Sequence, residues 1–199
     1  MPDPFLKLYK DKTDRQQRVG EWFTDNVQPF LERSKLDSIN LEIGCGHGHW
    51  LTSLAMTNPK MVYIGIDLIT KRIERANTKK SKNDLNNVFF YKAEAFEFIE
   101  SAEVKISTTF IMYPDPWPKK RHHKRRLIQN HFLKLLALKS TSSGEFYFMT
   151  DHSGYFEWAT SMVTESTYWK IIDKKWPHEA KSYFSDLLPN NNFFCAQKL

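Results

Sequence analysis

The sequence predicts a doubly wound α/β fold on a mostly parallel sheet, and three observations carry that prediction. Short apolar stretches rich in β-branched and aromatic residues alternate with segments whose apolar residues fall at helical spacing. That alternation is expected of a parallel sheet covered on both faces. A glycine-rich loop, Gly44-Cys-Gly46-His-Gly48, follows the first apolar stretch and opens a helical one. Acidic residues then recur at the ends of successive predicted strands: Asp67, Glu94, Asp115 and Asp151. In such sheets, ligands bind beyond the carboxyl ends of the strands, near the point where strand order reverses.

The elements follow in order. Residues 1–37 read as an amino-terminal helical extension, with Val19, Trp22, Phe23, Val27, Phe30 and Leu31 at roughly helical spacing. Residues 38–199 read as the α/β core. Strands are predicted at 39–43, 61–66, 88–91, 106–113 and 144–149, with late strands at 169–172 and 193–196. Helices are predicted at 50–56, 70–80, 95–100 and 127–139, and one more is marked by Tyr155, Trp158, Ala159, Met162 and Val163. No repeat, low-complexity segment or linker divides the chain, so residues 1–199 are expected to form a single domain.

Composition narrows the class. With 199 residues, 41% of them hydrophobic, the chain can bury a sizeable core. No stretch approaches the ~20 apolar residues of a membrane span, and the amino end lacks the apolar region of a secretory signal. Cys45 and Cys195 are the only cysteines, which excludes a disulfide framework and a cysteine-rich metal site. A cytoplasmic protein without a metal and without a membrane partner is expected.

One segment, Tyr113-Pro-Asp-Pro-Trp-Pro-Lys-Lys-Arg-His-His-Lys-Arg-Arg126, concentrates the charge. Lys119, Lys120, Arg121, Lys124, Arg125 and Arg126 flank His122 and His123, and six charges equal the net +6 of the whole chain. Basic runs are often solvated faces or tails. This one lies between an apolar strand and a predicted helix, inside the folded core. A polyanion partner is the expectation, because neutralising phosphates releases counterions.

The glycine loop lets the backbone turn tightly and approach a ligand. It is not a dinucleotide fingerprint, since the third glycine comes one position early and His49 stands in its place. Glu42, beside it, would repel a pyrophosphate but favour a cationic amino group. S-adenosylmethionine carries an ammonium and a sulfonium and no phosphate, so it is the cofactor expected at Gly44, Gly46 and Gly48. Asp67 suits a ribose diol, and Glu94 is placed for the adenine side.

In these residues the chain resembles the bacterial-type tRNA (guanine-N7)-methyltransferase family. The resemblance rests on Glu42-Ile-Gly-Cys-Gly-His-Gly48, Gly65-Ile-Asp67, Ala93-Glu-Ala95, Pro114-Asp-Pro-Trp-Pro-Lys119, Arg121-His-His-Lys-Arg-Arg126 and Thr150-Asp151. It implies a Rossmann-like fold of the S-adenosylmethionine-dependent type and methyl transfer to a guanine in the variable loop of tRNA. It further implies that Glu42, Asp67, Glu94 and Asp115 contact the cofactor, and that Asp115 is the active-site acid. Lys119 and Asp151 would contact the guanine, and residues from Arg121 to Arg126 would hold RNA. Resemblance to the stand-alone bacterial form implies tRNA as partner, no obligate protein partner, and a monomer or homodimer. The family usually carries Thr-x-Tyr/Phe-Glu near its carboxyl end. The match here is Ser182-Tyr-Phe-Ser185, which keeps a hydroxyl for the substrate at Ser182 and loses the carboxylate at Ser185.

Guanine N7 has a lone pair and no proton, so transfer to it requires orientation rather than a general base. A carboxylate would stabilise the positive charge that develops on the purine, and either Asp115 or Asp151 could supply it. Trp117 could stack on a base or serve as packing. Two other readings stay open: an RNA-binding paralogue with weakened catalysis, and a small-molecule methyltransferase of the same fold.

Overall fold

The computed structural model describes residues 4–179 and 191–199, with side chains from residue 12 onward. Helices α1 (Pro4–Asn26) and α2 (Gln28–Ser34) lead into strand β1 (Ser38–Ile43). There follow α3 (His49–Thr57), β2 (Tyr63–Asp67), α4 (Thr70–Lys82), β3 (Val88–Lys92), α5 (Ala95–Ser101) and β4 (Lys105–Met112). A 3-10 helix (Lys120–Arg125) precedes α6 (Asn130–Lys139), β5 (Ser140–Thr150), α7 (Ser153–Thr164), β6 (Trp169–Ile172) and β7 (Asn192–Lys198).

The strands form one sheet in the order β3-β2-β1-β4-β5-β7-β6. The pairings among β1 to β5 are parallel, and β7 runs antiparallel to both β5 and β6. The order therefore reverses between β1 and β4, which opens a crevice beyond their carboxyl ends. The expected mostly parallel, doubly wound sheet is what forms.

Side chains alternate across the sheet with period two. Phe146 and Phe148 point into the larger core with Ile39, Leu41, Phe98, Phe132 and Trp169. Tyr147, between them, joins Trp50, Phe90 and Phe110 on the opposite face. All five residues of β2 are buried, as both-sided coverage requires. The amino-terminal extension is part of this packing: Val19 and Phe23 lie in the larger core, and Trp22 stacks on Tyr91 with centroids 4.4 Å apart.

Two local features differ from the sequence expectation. The basic run is a 3-10 turn rather than a loop, and the helix after it begins at Asn130 instead of Leu127. The reason is a tether. The Tyr155 hydroxyl accepts the backbone N–H groups of Leu127 (3.0 Å) and Ile128 (3.3 Å), which holds them short of the helix. Among the described residues, no helix is long and apolar enough to cross a membrane.

Candidate active site

The glycine loop hangs from β2. The N–H groups of Gly44 and Cys45 both donate to the Ile66 carbonyl, at 2.8 and 2.9 Å. Gly44 (φ 80°) and Gly46 (φ 54°) are left-handed, and a Cβ at either would meet nothing within 4 Å. Backbone conformation, not space, demands glycine there. Gly48 differs. A Cβ on it would sit 2.7 Å from the Phe90 ring and 2.8 Å from Ala76, and a Cβ on Gly65 would also come within 2.7 Å of Phe90. Phe90 is thus wedged beneath the loop between two glycines.

Asp67 ties the loop to the start of α4. Its Oδ2 accepts from the Gly46 N–H at 3.0 Å and its Oδ1 from the Ile69 N–H at 2.8 Å, while Arg72 Nη1 stands 3.4 Å from Oδ2. Glu94 caps α5: its Oε2 accepts from the N–H groups of Phe96 (2.8 Å) and Glu97 (3.1 Å). Burial raises the Glu94 carboxyl above its ordinary range, and those two N–H bonds offset part of the rise. Glu42 is fully buried and has no such support, because Oε2 has no hydrogen-bond partner. Burial first, and then the negative charge of Asp67, push its carboxyl up to about 8. The Cys45 thiol is raised by burial too, so it stays protonated rather than nucleophilic.

Across the crevice, β4 runs into a strained loop. Tyr113 (φ 50°) and Trp117 (φ 45°) are both left-handed although neither is glycine. Such conformations cost on the order of 1–3 kcal/mol each and persist only where the surroundings impose them. Pro114, Pro116 and Pro118 restrict the same loop by fixing φ. Arg126 fastens it from below. Its Nε donates to the Pro116 carbonyl (2.9 Å), its Nη1 donates to the Gly154 carbonyl (3.1 Å), and its guanidinium lies over the rings of Tyr155 and Trp158. Arg125 points the other way, with its guanidinium 4.8 Å from the Trp117 ring centroid.

The two sides enclose a cleft of about 610 Å³. Glu42, Gly44, Gly46, Asp67, Glu94 and Asp115, six of the seven residues expected at a cofactor, all line it. Gly48 does not; it packs on Phe90 and Ala76 instead. Sequence reasoning also passed over Trp50, Arg72 and Tyr113, which line the same cleft. A signal for Arg72 was present, since it falls in the first turn of α4, five residues past Asp67.

The expected RNA and substrate residues divide. Lys119, Arg121 and Lys124 are exposed and His122 and His123 half-buried, outside the cleft lining, while Arg125 is exposed and lines the cleft. Arg126 is the correction: it is 3% exposed, its side chain is spent on carbonyls and aromatic faces, and it cannot present charge to RNA. The arginine fits inside because its stem and planar head can pack against rings while its donors are satisfied. Asp151 is exposed beyond β5 and does not line the cleft, but its charge reaches Tyr113, whose phenol is raised by burial first and by Asp151 second. Ser182 and Ser185 lie outside the described residues.

The cleft suits the expected cofactor. Glu42 offers a buried carboxyl oxygen without a hydrogen-bond partner, which an ammonium would satisfy by drawing off the proton. A lining of acidic side chains, Asp67 and Asp115 among them, opposes a pyrophosphate. Gly44 and Gly46 leave open space above the loop.

Comparison with known proteins agrees with this geometry. A family model described as "Putative methyltransferase" matches residues 37–186. A tRNA (guanine-N(7)-)-methyltransferase of Wolbachia pipientis wMel is 35% identical over 164 residues, which cover 81% of this chain and 74% of that protein. The enzyme of the same name from Geobacillus sp. (strain WCH70) is 37% identical over 135 residues, 67% of this chain and 60% of that one. Among solved structures, TrmN from Thermus thermophilus superposes with a TM-score of 0.60 at 15% identity, covering 86% of this chain and 48% of its own. At that identity the likeness concerns the fold alone.

Proposed function

Because the chain belongs to the tRNA (guanine-N7)-methyltransferase family, we propose that it transfers a methyl group from S-adenosylmethionine to N7 of a guanine in the variable loop of tRNA. The observation that carries this reading is the cleft itself. It joins the buried carboxylates Glu42 and Asp67 to Asp115, on a loop that continues directly into the cationic 3-10 helix. A small-molecule methyltransferase would have no use for that helix.

When bound, S-adenosylmethionine supplies an electrophilic methyl on a sulfonium. Glu42 would take its ammonium end, Gly44 and Gly46 would let the backbone come close, Asp67 would receive the ribose, and Glu94 would border the adenine. Oδ1 of Asp67 accepts one backbone N–H and retains a further acceptor site, while Oδ2 already accepts from Gly46 and Arg72. No side chain need remove a proton from guanine N7. What the protein must do is hold the base in line, and orientation of this kind can supply roughly 7–11 kcal/mol. Between the two candidate acids, Asp115 lines the cleft and Asp151 does not. Asp115 therefore faces the purine as positive charge builds on it, while Asp151 and Lys119 flank the guanine edge. Arg126 is a positioning residue, fixing the Pro116 carbonyl next to Asp115.

In this reading residues 38–199 are the catalytic core and residues 1–37 its helical extension, within one domain. The enzyme acts in the cytoplasm, as a monomer or homodimer without an obligate protein partner. Incubation of tRNA lacking the modification with the protein and labelled S-adenosylmethionine should yield labelled N7-methylguanine on nucleoside analysis. Cofactor binding without any transfer would instead favour an RNA-binding paralogue, the reading that Ser185 keeps in view.

A further inference from the structure

We propose that the outer stripe of α4, with His47 and His49 of the glycine loop beside it, is a second surface for the tRNA backbone. It would lie on the opposite flank of the cleft from the 3-10 helix. This rests on the function proposed above and extends it to how the RNA is seated.

Helix α4, Thr70–Lys82, holds Lys71, Arg72, Arg75, Lys79, Lys80 and Lys82 against the single acid Glu74. At ~100° per residue, Arg72, Arg75, Lys79 and Lys82 fall within a stripe about 80° wide, and Glu74 lies about 120° from its centre. Ile73 and Ala76 turn inward to the core. Lys80 lies apart from the stripe, with its ammonium over the Phe89 ring. The stripe rises ~15 Å from Arg72 to Lys82. That suits several successive phosphates better than one ligand.

Apart from Arg72, which pairs with Asp67, the heads of this stripe are placed rather than spent. Arg75 Nη1 is 3.3 Å from His47 Nε2, and Lys79 Nζ is 3.4 Å from His49 Nε2. Burial, then the neighbouring cations, hold both imidazoles below their ordinary range, so at neutral pH they accept these contacts without cancelling charge. Among the described residues, no carboxylate pairs with Arg75, Lys79 or Lys82. Asn77, Thr78 and Ser81, with Lys71 and Glu74, make up the rest of the exposed face. A protein interface of useful strength needs an apolar centre, and this surface has none. A polar, cationic, linear face is what a nucleic-acid backbone requires.

Topology supplies the second support. Helix α4 connects β2 to β3, on one side of β1, whereas the 3-10 helix follows β4, on the other. Arg72 of the first and Arg125 of the second both line the cleft between them. A base entering the cleft from RNA held by the 3-10 helix therefore brings neighbouring backbone toward α4.

The test compares Arg75→Gln/Lys79→Gln/Lys82→Gln with Arg121→Gln/Lys124→Gln, using unmodified tRNA transcript and varying salt. Arg72 is left intact because it contacts Asp67. Each lost phosphate contact removes roughly 0.7–0.9 from the slope of log K against log [salt], so the α4 variant should lose about two units of slope and roughly 10- to 100-fold in affinity at physiological salt. Cofactor affinity and thermal melting, measured in parallel, should change little. If the α4 variant binds tRNA with unaltered affinity and slope while the 3-10 variant is weakened, the second surface is overturned and the proposed function stands. If neither variant weakens binding, the tRNA reading itself fails.

Discussion

The two walls of the cleft are built by different means. On the glycine-loop wall, two acids are locked by backbone N–H groups: the buried Asp67 by two, and the half-buried Glu94 by two more at the start of α5. On the loop wall, the acid Asp115 is exposed, and order comes from prolines, two left-handed residues and one buried arginine beneath. The first wall is rigid before any ligand arrives. The second spends backbone strain to hold an exposed acid at the mouth. A wall that grips a constant small molecule can be buried, whereas one that meets a large polyanion must stay open to solvent. Substitutions on the two walls should therefore separate cofactor binding from chemistry and from RNA binding.

The largest separation is expected at Asp115. Asp115→Asn should lower turnover roughly 10²- to 10³-fold, the scale of removing one preorganised electrostatic partner of a transition state. Affinities for tRNA and cofactor should shift only a fewfold, since an interaction made mainly in the transition state does not hold the ground state. Single-turnover transfer alongside equilibrium binding would check this. Near-normal turnover would pass the role to Asp151 across the loop.

Glu42 distinguishes the walls by pH. Its folded carboxyl, raised to about 8, titrates far above the ordinary value of 4.5. The neutral form is thus the one the fold prefers. Its contribution to stability is complete at pH below that ordinary value and is lost as pH rises through about 8. The ligand-free protein should lose up to ~1.4 kcal/mol per pH unit within that window from this group alone. Glu42→Gln should flatten that slope in denaturant melts. A cationic ligand should draw a proton off Glu42 near pH 7, and calorimetry in buffers of differing ionisation enthalpy would detect it. No proton release, or release that persists in Glu42→Gln, would remove the ammonium from Glu42.

Arg126 breaks the comparison from the other wall. It belongs to the cationic run in sequence and to the core in structure. Arg126→Ala leaves the carbonyls of Pro116 and Gly154 without their donor and strips packing from Tyr155 and Trp158, so about 2–3 kcal/mol of stability should go. Its salt slope for tRNA should match the parent's. Arg121→Ala, exposed, should do the reverse, leaving the melt unchanged and reducing the slope by roughly 0.7–0.9. A reduced slope in Arg126→Ala at full stability would place that side chain at the RNA after all.

The sequence made the buried wall legible because strands have period two and glycine has a conformational reason to recur. Glu42, Asp67 and Glu94 stand at strand ends, and the parallel order brings all strand ends to one rim. The open wall was legible only as charge. A run of Lys and Arg announces a field, not which members reach solvent, and Arg126 is hidden by Tyr155 and Trp158 from thirty residues downstream. Gly48 failed similarly: its spacing imitates a ligand-facing glycine, but its need for no side chain comes from Phe90 on β3. Helix α4 is legible in the sequence as polar and basic, but not as a binding face, because the net charge of the chain equals that of the run alone, which conceals basic helices balanced by acids elsewhere. Local pattern survives in sequence; which distant side chain fills a space does not.

The smallest expected effect tests whether the rigid wall acts through contact or through scaffolding. Asp67 has two tasks in the structure: anchoring Gly46 and Ile69, and facing the cleft where a ribose would lie. Asp67→Asn keeps the size and one carbonyl oxygen but turns an amide toward one of the two N–H donors. One anchoring bond is lost along with one diol acceptor. Cofactor affinity should fall roughly 10- to 30-fold, on the order of 1.4–2 kcal/mol. Affinity for tRNA should change little, because Asp67 hydrogen-bonds to Gly46, Ile69 and Arg72 and to none of the cations of the 3-10 helix or of Arg75, Lys79 and Lys82. The two tasks can be told apart with a cofactor analogue lacking one ribose hydroxyl. If Asp67 acts by contact, the analogue binds the parent protein more weakly and loses much less when Asp67→Asn is introduced. If the loss is equal for both ligands, Asp67 serves the loop alone, and the ribose is held by another part of the cleft.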